Sequence, residues 1–219
     1  MAGGNPIGYL TEASKVESFE HFKEHMEQSM LFRNKDKNRE YAIKRAIGNE
    51  VADGLYVELG VAGGDGCRLF GNMLKPHGLE MTGFDSFEGL EEDWTGMQSG
   101  REVGAFTQAG ELPKVPDNVT LVKGWVQDTL PGYLEDTGKA PFAFVHMDMD
   151  TYTPTAYAMA AIKSRLRKGT VILFDELYGY PGWKHHEYKA LQETLNEADY
   201  RYICFSTESV AIEMLRKPK

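Results

Sequence analysis

Four carboxylates stand in two tight pairs late in the chain, Asp148-Met-Asp150 and Asp175-Glu176. Each pair follows an apolar run, Pro141-Phe-Ala-Phe-Val-His-Met147 in one case and Gly169-Thr-Val-Ile-Leu-Phe174 in the other. Such runs read as buried strands, and acidic residues are poor strand formers, so each pair marks a strand's carboxyl end. Neighbouring strands lie ~4.8 Å apart. Carboxylates at two adjacent ends can therefore both reach one small cation, whose ligands stand at ~2.1–2.4 Å. All-oxygen ligands favour Mg, Mn or Ca over zinc. An acidic residue at a helix start is also an ordinary cap, and Asp150 precedes Thr151-Tyr-Thr-Pro. Capping alone would leave a group of carboxylates uncompensated, which is costly unless something positive sits there.

A second constellation lies earlier. Val57-Glu-Leu-Gly-Val-Ala-Gly-Gly-Asp-Gly66 runs from one apolar stretch into helix-like text. Glycines let a backbone turn tightly and approach a ligand closely. The dinucleotide fingerprint G-x-G-x-x-G is not met, because Ala62 holds its second glycine position. Glu58, two residues before the first glycine, suits a ligand with positive charge better than a pyrophosphate. Asp85 closes the next apolar run, where a carboxylate can accept hydrogen bonds from both hydroxyls of a ribose. A glycine-bearing strand-to-helix turn with no ligand is the plainer alternative.

Short apolar runs position all of these groups. Leu55–Gly60, Glu80–Phe84, Val119–Lys123, Pro141–Met147 and Gly169–Phe174 alternate with helix-like text at Cys67–Lys75, Thr129–Thr137, Thr155–Lys168 and His186–Ala198. Tyr200–Phe205 and Val210–Met214 read as a closing strand pair. Strands alternating with helices predict parallel βαβ units, and near-continuous apolar strands predict a sheet covered on both faces. The fold class is therefore α/β, a doubly wound sheet with its ligands at the carboxyl ends of the strands. Before it, Ser14–Ile47 carries Val16, Phe19, Phe22, Met26, Met30 and Leu31 at amphipathic-helix spacing. Residues 1–10 read as loose, and the charge run Arg33–Arg39 as a solvated loop or helix end. The division is a helical extension over 1–50 and a main domain over 51–219.

The bulk composition narrows the partners. The chain of 219 residues is 42% hydrophobic with a formal charge of −9, enough for one real core and acidic enough to repel nucleic acid and anionic membranes. Two cysteines, Cys67 and Cys204, make no disulfide framework. The first residues show no signal-peptide pattern and no apolar run has membrane-spanning length, which predicts a cytoplasmic setting.

Five motifs in order, Glu58-Leu-Gly60, Phe84-Asp-Ser-Phe-Glu-Gly-Leu90, Lys123-Gly-Trp-Val-Gln-Asp-Thr-Leu-Pro131, His146-Met-Asp-Met-Asp-Thr-Tyr152 and Phe174-Asp-Glu-Leu-Tyr178, resemble class I S-adenosylmethionine-dependent methyltransferases. Within that class they are similar to the macrocin O-methyltransferase (TylF-like) group, which methylates sugar hydroxyls and related natural products. The resemblance covers roughly Gly54 to Met214. It implies a Rossmann-like seven-stranded sheet whose last strand, Val210–Met214, is antiparallel. It implies S-adenosylmethionine binding by Glu58, Gly60, Ala62, Gly64 and Asp85, with Ser86, Gly124, Trp125 and Asp128 near ribose and adenine. The group's metal ligands, a Mg ion's in the expected case, fall on Asp148, Asp175 and Glu176, with Asp148 also beside the donor. Asp150-Thr-Tyr-Thr-Pro-Thr155 replaces the more usual Asp-Leu-Tyr-x-Ser-Thr, keeping Asp150, Tyr152 and Thr155.

The expected reaction is methyl transfer to a small-molecule hydroxyl, with positioning and a Mg ion raising the acceptor's reactivity. Asp150 is the first candidate for general base. His146 and Lys184-His-His-Glu187 are further candidates, although a histidine inside an apolar strand reads first as a satisfied core residue. Tyr178-Gly-Tyr-Pro-Gly-Trp-Lys-His-His-Glu187, with Tyr152, suits a substrate wall in which Tyr178, Trp183 and His186 face a ring; a Pro-Gly turn opening a helix is the structural alternative. The long connection 86–117 reads as a lid or a disordered insertion. The N-terminal helices could pair subunits into a homo-oligomer. The competing readings are a D-x-D phosphohydrolase of the haloacid dehalogenase type, a D-x-D glycosyltransferase and a non-catalytic S-adenosylmethionine binder. The phosphohydrolase pattern wants a Thr where Tyr152 stands, and the glycosyltransferase leaves Glu58 and the glycine loop unexplained.

Overall fold

The computed structural model describes residues 5–97 and 99–219. Helix α1 (Pro6–Glu27) begins on Asn5, whose side chain accepts from the Ile7 N–H, with Pro6 at the first helical position. The segment expected to be loose is thus helical from Pro6 onward. Helix α2 (Lys35–Ile47) is capped by Asn34, which accepts from the Asp36 and Lys37 N–H groups. Strand β2 (Leu55–Leu59), helix α3 (Asp65–Leu74), β3 (Met81–Asp85), β4 (Val119–Lys123), α4 (Val126–Asp136), β5 (Phe142–Met147), α5 (Tyr152–Ile162), β6 (Val171–Phe174), α6 (Glu187–Thr194), β7 (Tyr200–Phe205) and β8 (Val210–Met214) follow. Between α1 and α2 lies a two-residue strand, β1 (Met30–Leu31).

These strands form one sheet of eight in the order β1-β7-β8-β6-β5-β2-β3-β4. Only β8 runs antiparallel to its neighbours β6 and β7; the remaining pairs are parallel. The sheet has one strand more than expected. Met30 and Leu31, read as part of an amphipathic helix, pair instead with Cys204 and Phe205 at the β7 edge. The reversal at β8 is as predicted.

Period-two alternation decides which strand residues face which layer. Val57, Leu59, Val145, Ile172 and Phe174 pack under α1, α4, α5 and α6. Tyr56, Phe144, Val171 and Leu173 pack under α2 and α3, against Ala42, Ile43 and Phe70. Both faces are covered, as the near-continuous apolar runs predict. The same parity carries Glu58, His146 and Asp175 onto the α2 face, continuing the rows Tyr56–Glu58, Phe144–His146 and Leu173–Asp175. Helix α2 runs counter to the strands on that face: Arg45 and Asn49 reach Glu213 and Gly169 at one end, while Lys35 and Arg39 reach Asp175 at the other.

Helix α1 contributes less to the core than its spacing suggests. Phe22 is fully buried and Met26 partly so, but Val16 and Phe19 are exposed. Phe22 enters an aromatic cluster with Tyr178, Trp183, Tyr188, Tyr202 and Phe205.

Candidate active site

Two loops cross at the carboxyl edge of the sheet. The Gly60 N–H donates to Phe84 O at 2.9 Å, and the Asp148 N–H donates to Leu59 O at 2.8 Å. Gly60 adopts φ +91°, and a Cβ there would lie 1.8 Å from the Asp148 carbonyl oxygen. The first glycine of the loop is therefore required by the close approach of β2 and β5, where only glycine fits. Asp85 Oδ2 accepts the Val61 and Ala62 N–H groups at 2.7 Å each, and Oδ1 accepts the Phe87 N–H at 2.6 Å. The carboxylate that the sequence assigns to a ribose thus also shapes the glycine loop.

A cleft of about 370 Å³ opens at this edge, within the size range of ordinary small-molecule sites. One side is formed by Gly60, Ala62, Asp85, Ser86, Gly124 and Trp125, the other by Asp148, Asp150, Asp175 and Glu176. The connection 86–117 roofs it with Leu90, Trp94, Met97, Arg101 and Phe106. That roof is tied down: Thr153 N–H and Oγ1 donate to Glu92 at 2.8 Å each, and the Gln127 amide donates to Glu91 at 2.7 Å.

Behind the carboxylates runs a buried chain of charge. Glu58 Oε1 lies 2.8 Å from His146 Nδ1, and His146 Nε2 lies 3.3 Å from Asp175 Oδ1. Arg39 donates to the same oxygen through Nη2 at 2.8 Å and stands 3.6 Å from Asp148. Lys35 Nζ bridges Asp175 Oδ2 and Glu176 Oε1, both at 2.6 Å. Burial pushes the Asp148 and Glu176 carboxyls up, reinforced by their acidic neighbours. Asp175 goes the other way: burial would raise it, but His146, Lys35 and Arg39 hold it well below the usual range. Asp150, raised chiefly by burial to about 7, occupies the left-handed region at φ +64°, which an Asp tolerates better than most residues.

Burial alone would lower His146, but hydrogen bonds to Asp175 and Glu58 outweigh it and lift the imidazole from 6.5 to about 9. A raised folded-state pKa means stability that is complete below about 6.5 and lost as pH rises through about 9. That share is on the order of 3 kcal/mol for a shift of this size. Urea unfolding between these two pH values should show the decline in the wild type and a flatter profile in His146→Gln; equal slopes would contradict a charged His146.

Not every expected residue reaches the cleft. Glu58 is 1% exposed and lies behind the loop, where a Cβ on Gly66 would collide with it. Gly64, at φ +83°, starts α3 rather than lining the cavity, and Asp128 sits in the first turn of α4. The expected substrate wall is elsewhere. Trp183 and Tyr178 are buried against Phe22, His186 Nε2 lies 2.8 Å from Thr95 O, and the Tyr152 hydroxyl donates to Glu193 at the surface. Aromatic composition signalled a ring-binding surface, but those rings found α1 and the roof. The residues missed by sequence are Lys35 and Arg39, hidden in a charge run that reads as solvated, and Arg101. Its Nε is buried without a partner among the described residues. Asp148, Asp150 and Glu176 each bring a potential ligand atom within 4.8 Å of the others. Both oxygens of Asp175 are already engaged by Lys35, Arg39 and His146. His21 and His25, at a His-x-x-x-His spacing on α1, are turned toward Tyr188 and Glu197 instead.

Residues 57–177 match the family model of a methyltransferase domain, which is more than half of the chain. The protein belongs to that methyltransferase family. The chain is 28% identical over 158 residues to the 8-demethyl-8-(2,3-dimethoxy-alpha-L-rhamnosyl)-tetracenomycin-C 4'-O-methyltransferase of Streptomyces olivaceus. That match covers 64% of this chain and spans 58% of the relative's length. Its fold is similar to that of the calicheamicin methyltransferase CalS11, with a TM-score of 0.67 at 20% identity over 97% of this chain and 94% of that one. It is likewise similar to the O-methyltransferase NovP, with a TM-score of 0.62 at 22% identity over 83% and 79% of the two chains. The methyltransferase class expected from the five motifs is thereby borne out. Among the described residues no helix is long and apolar enough to cross a membrane.

Proposed function

We propose that the protein transfers the methyl group of S-adenosylmethionine to a hydroxyl of a small molecule, a sugar or glycosylated natural product. One observation carries the reading: a single cleft joins the glycine loop and Asp85 to the carboxylates Asp148, Asp150 and Glu176. A methyl donor and a hydroxyl acceptor need such adjacent seats, because displacement requires the acceptor oxygen close to and in line with the methyl carbon. The relative's name, a sugar O-methyltransferase, supports the acceptor class.

In this reading Gly60, Ala62, Asp85, Ser86, Gly124 and Trp125 hold the donor, Trp94 and Phe106 in the roof exclude water, and Asp150 accepts the acceptor's proton at a carboxylate oxygen. Its position near neutrality suits a general base. The acidic group also fits a Mg ion: three carboxylates converge, all donors are oxygen, and Glu176 Oε2 is buried with no partner among the described residues. Asp148 and Glu176, with one oxygen of Asp150 in reach, would hold the ion, and Asp175 orients Asp148 through Arg39. When bound, Mg lowers the pKa of a coordinated hydroxyl and fixes its orientation.

Calorimetry with S-adenosylmethionine, with and without Mg, tests the donor site, and a gain of one methyl mass on glycosides of aromatic polyketides or macrolides tests transfer. We expect donor binding in the micromolar range. No binding at millimolar donor would overturn the reading, and phosphate release from simple phosphoesters would favour a phosphohydrolase instead.

A further inference from the structure

Lys35 stands where the charge run of the N-terminal region meets the carboxylate group. It is the first residue of α2, fixed there by the Asn34 cap. Asn38 lies one turn on and is fully buried; its amide donates to Ser209 O at 3.1 Å and Oγ at 3.2 Å. The Ser209 hydroxyl in turn donates to Phe174 O at 2.9 Å, on the residue preceding Asp175. The start of α2 is therefore fastened to the end of β6, and the Lys35 ammonium is delivered to Asp175 and Glu176 by the fold rather than by chance contact.

Glu176 is then shared between two cation positions. Oε1 is held by Lys35 at 2.6 Å, while Oε2 is buried and lacks a hydrogen-bond partner among the described residues. The same side chain completes the group with Asp148 and Asp150. A divalent ion placed there would stand close to the Lys35 ammonium, and like charges at such a distance repel strongly inside a protein. The two neighbouring cations differ in freedom. Arg39 keeps only 13% of its side chain exposed and is committed to Asp175, whereas Lys35 keeps 29% and borders solvent. A flexible four-carbon stem lets an ammonium swing outward.

We infer that the Lys35 ammonium and a divalent cation are alternative partners of Glu176, so that helix α2 sets how tightly this site takes metal and compensates its charge in the ion's absence. The inference rests on the reading of the site as one that takes Mg, but not on the identity of the donor or acceptor. Lys35 is accordingly a positioning residue, and the N-terminal region is part of the site rather than an appendage to it.

Mg binding to the full chain, measured calorimetrically, tests this. Lys35→Gln should bind Mg at least tenfold more tightly than the wild type, and Lys35→Arg, which keeps the charge, should stay within about threefold of it. Lys184→Gln, which removes a surface lysine paired with Glu17, should change nothing. A second measurement needs no variant. Acetic anhydride labelling read by mass spectrometry should find Lys35 slow to react without Mg and several-fold faster at saturating Mg, with Lys184 unchanged. Unchanged or weaker Mg affinity in Lys35→Gln, or Lys35 labelling that ignores Mg, would overturn the inference. Donor calorimetry on the same samples keeps a failure here distinct from a failure of the methyltransferase reading.

Discussion

Asp150→Asn is expected to lower kcat by about 10²–10⁴-fold, the usual worth of a positioned general base. The change keeps shape and keeps tolerance of the left-handed backbone at φ +64°, so neither fold nor donor seat should suffer. Donor affinity should therefore stay within a few-fold of the wild type. Without Mg the wild-type rate should rise with pH through about 7, because a base acts unprotonated and burial holds this carboxyl up to that value; bound Mg should carry the limb to lower pH. The variant should lack that rising limb. Assays at saturating Mg separate the base from a ligand role, which would instead shift the Mg dependence. An Asp150→Asn enzyme with near-normal kcat would remove Asp150 from the chemistry.

Gly60→Ala is the second large effect. The added methyl would meet the Asp148 carbonyl oxygen at 1.8 Å and its carbon at 2.5 Å, and both are backbone atoms. Neither loop can yield freely, since the amides of Gly60 and Asp148 are tied to the neighbouring strands. Left-handed strain adds to this overlap, and together they should cost about 2–5 kcal/mol. Urea unfolding should register the loss, with donor binding weakened more than tenfold because the same crossing joins donor loop to carboxylates. Gly63→Ala, three residues on, meets nothing within 4 Å and should be close to neutral. If Gly60→Ala unfolds like the wild type, the two loops do not cross as tightly as described.

Much of the site could be read from the chain because one physical constraint governs both. A strand buried on both faces must be apolar throughout, so the first acidic residue after it announces the strand's end. That rule places Asp85, Asp148 and Asp175 at strand ends, and all three line the cleft. The glycine loop was legible for a related reason: a tight strand-to-helix turn needs backbone freedom that glycine provides. The aromatic segment 178–187 misled because rings serve a core and a ligand equally well. Trp183 and Tyr178 chose the core, against Phe22, a residue that spacing placed on a helix without saying what it would meet. Met30 and Leu31 depart from the helical spacing because two residues show no period of their own, and the free edge beside β7 accepts them.

By itself the sequence determined the alternation of strands and helices, the closing strand pair and the placing of carboxylates at the sheet's carboxyl edge, while the reversal of the last strand was what the family resemblance implied. The first three follow from local patterns of five to ten residues. Tertiary structure alone decided which charges compensate those carboxylates. Lys35 is 141 residues from Glu176, and Arg39 is 136 from Asp175. Nothing in a run of lysines, arginines and asparagines states which strand end it will face. That choice was made when α2 lay counter to the strands on the face where parity puts Glu58, His146 and Asp175. Water, the usual partner of such a charge run, was displaced there by buried anions, whose desolvation is offset only by cations brought equally close.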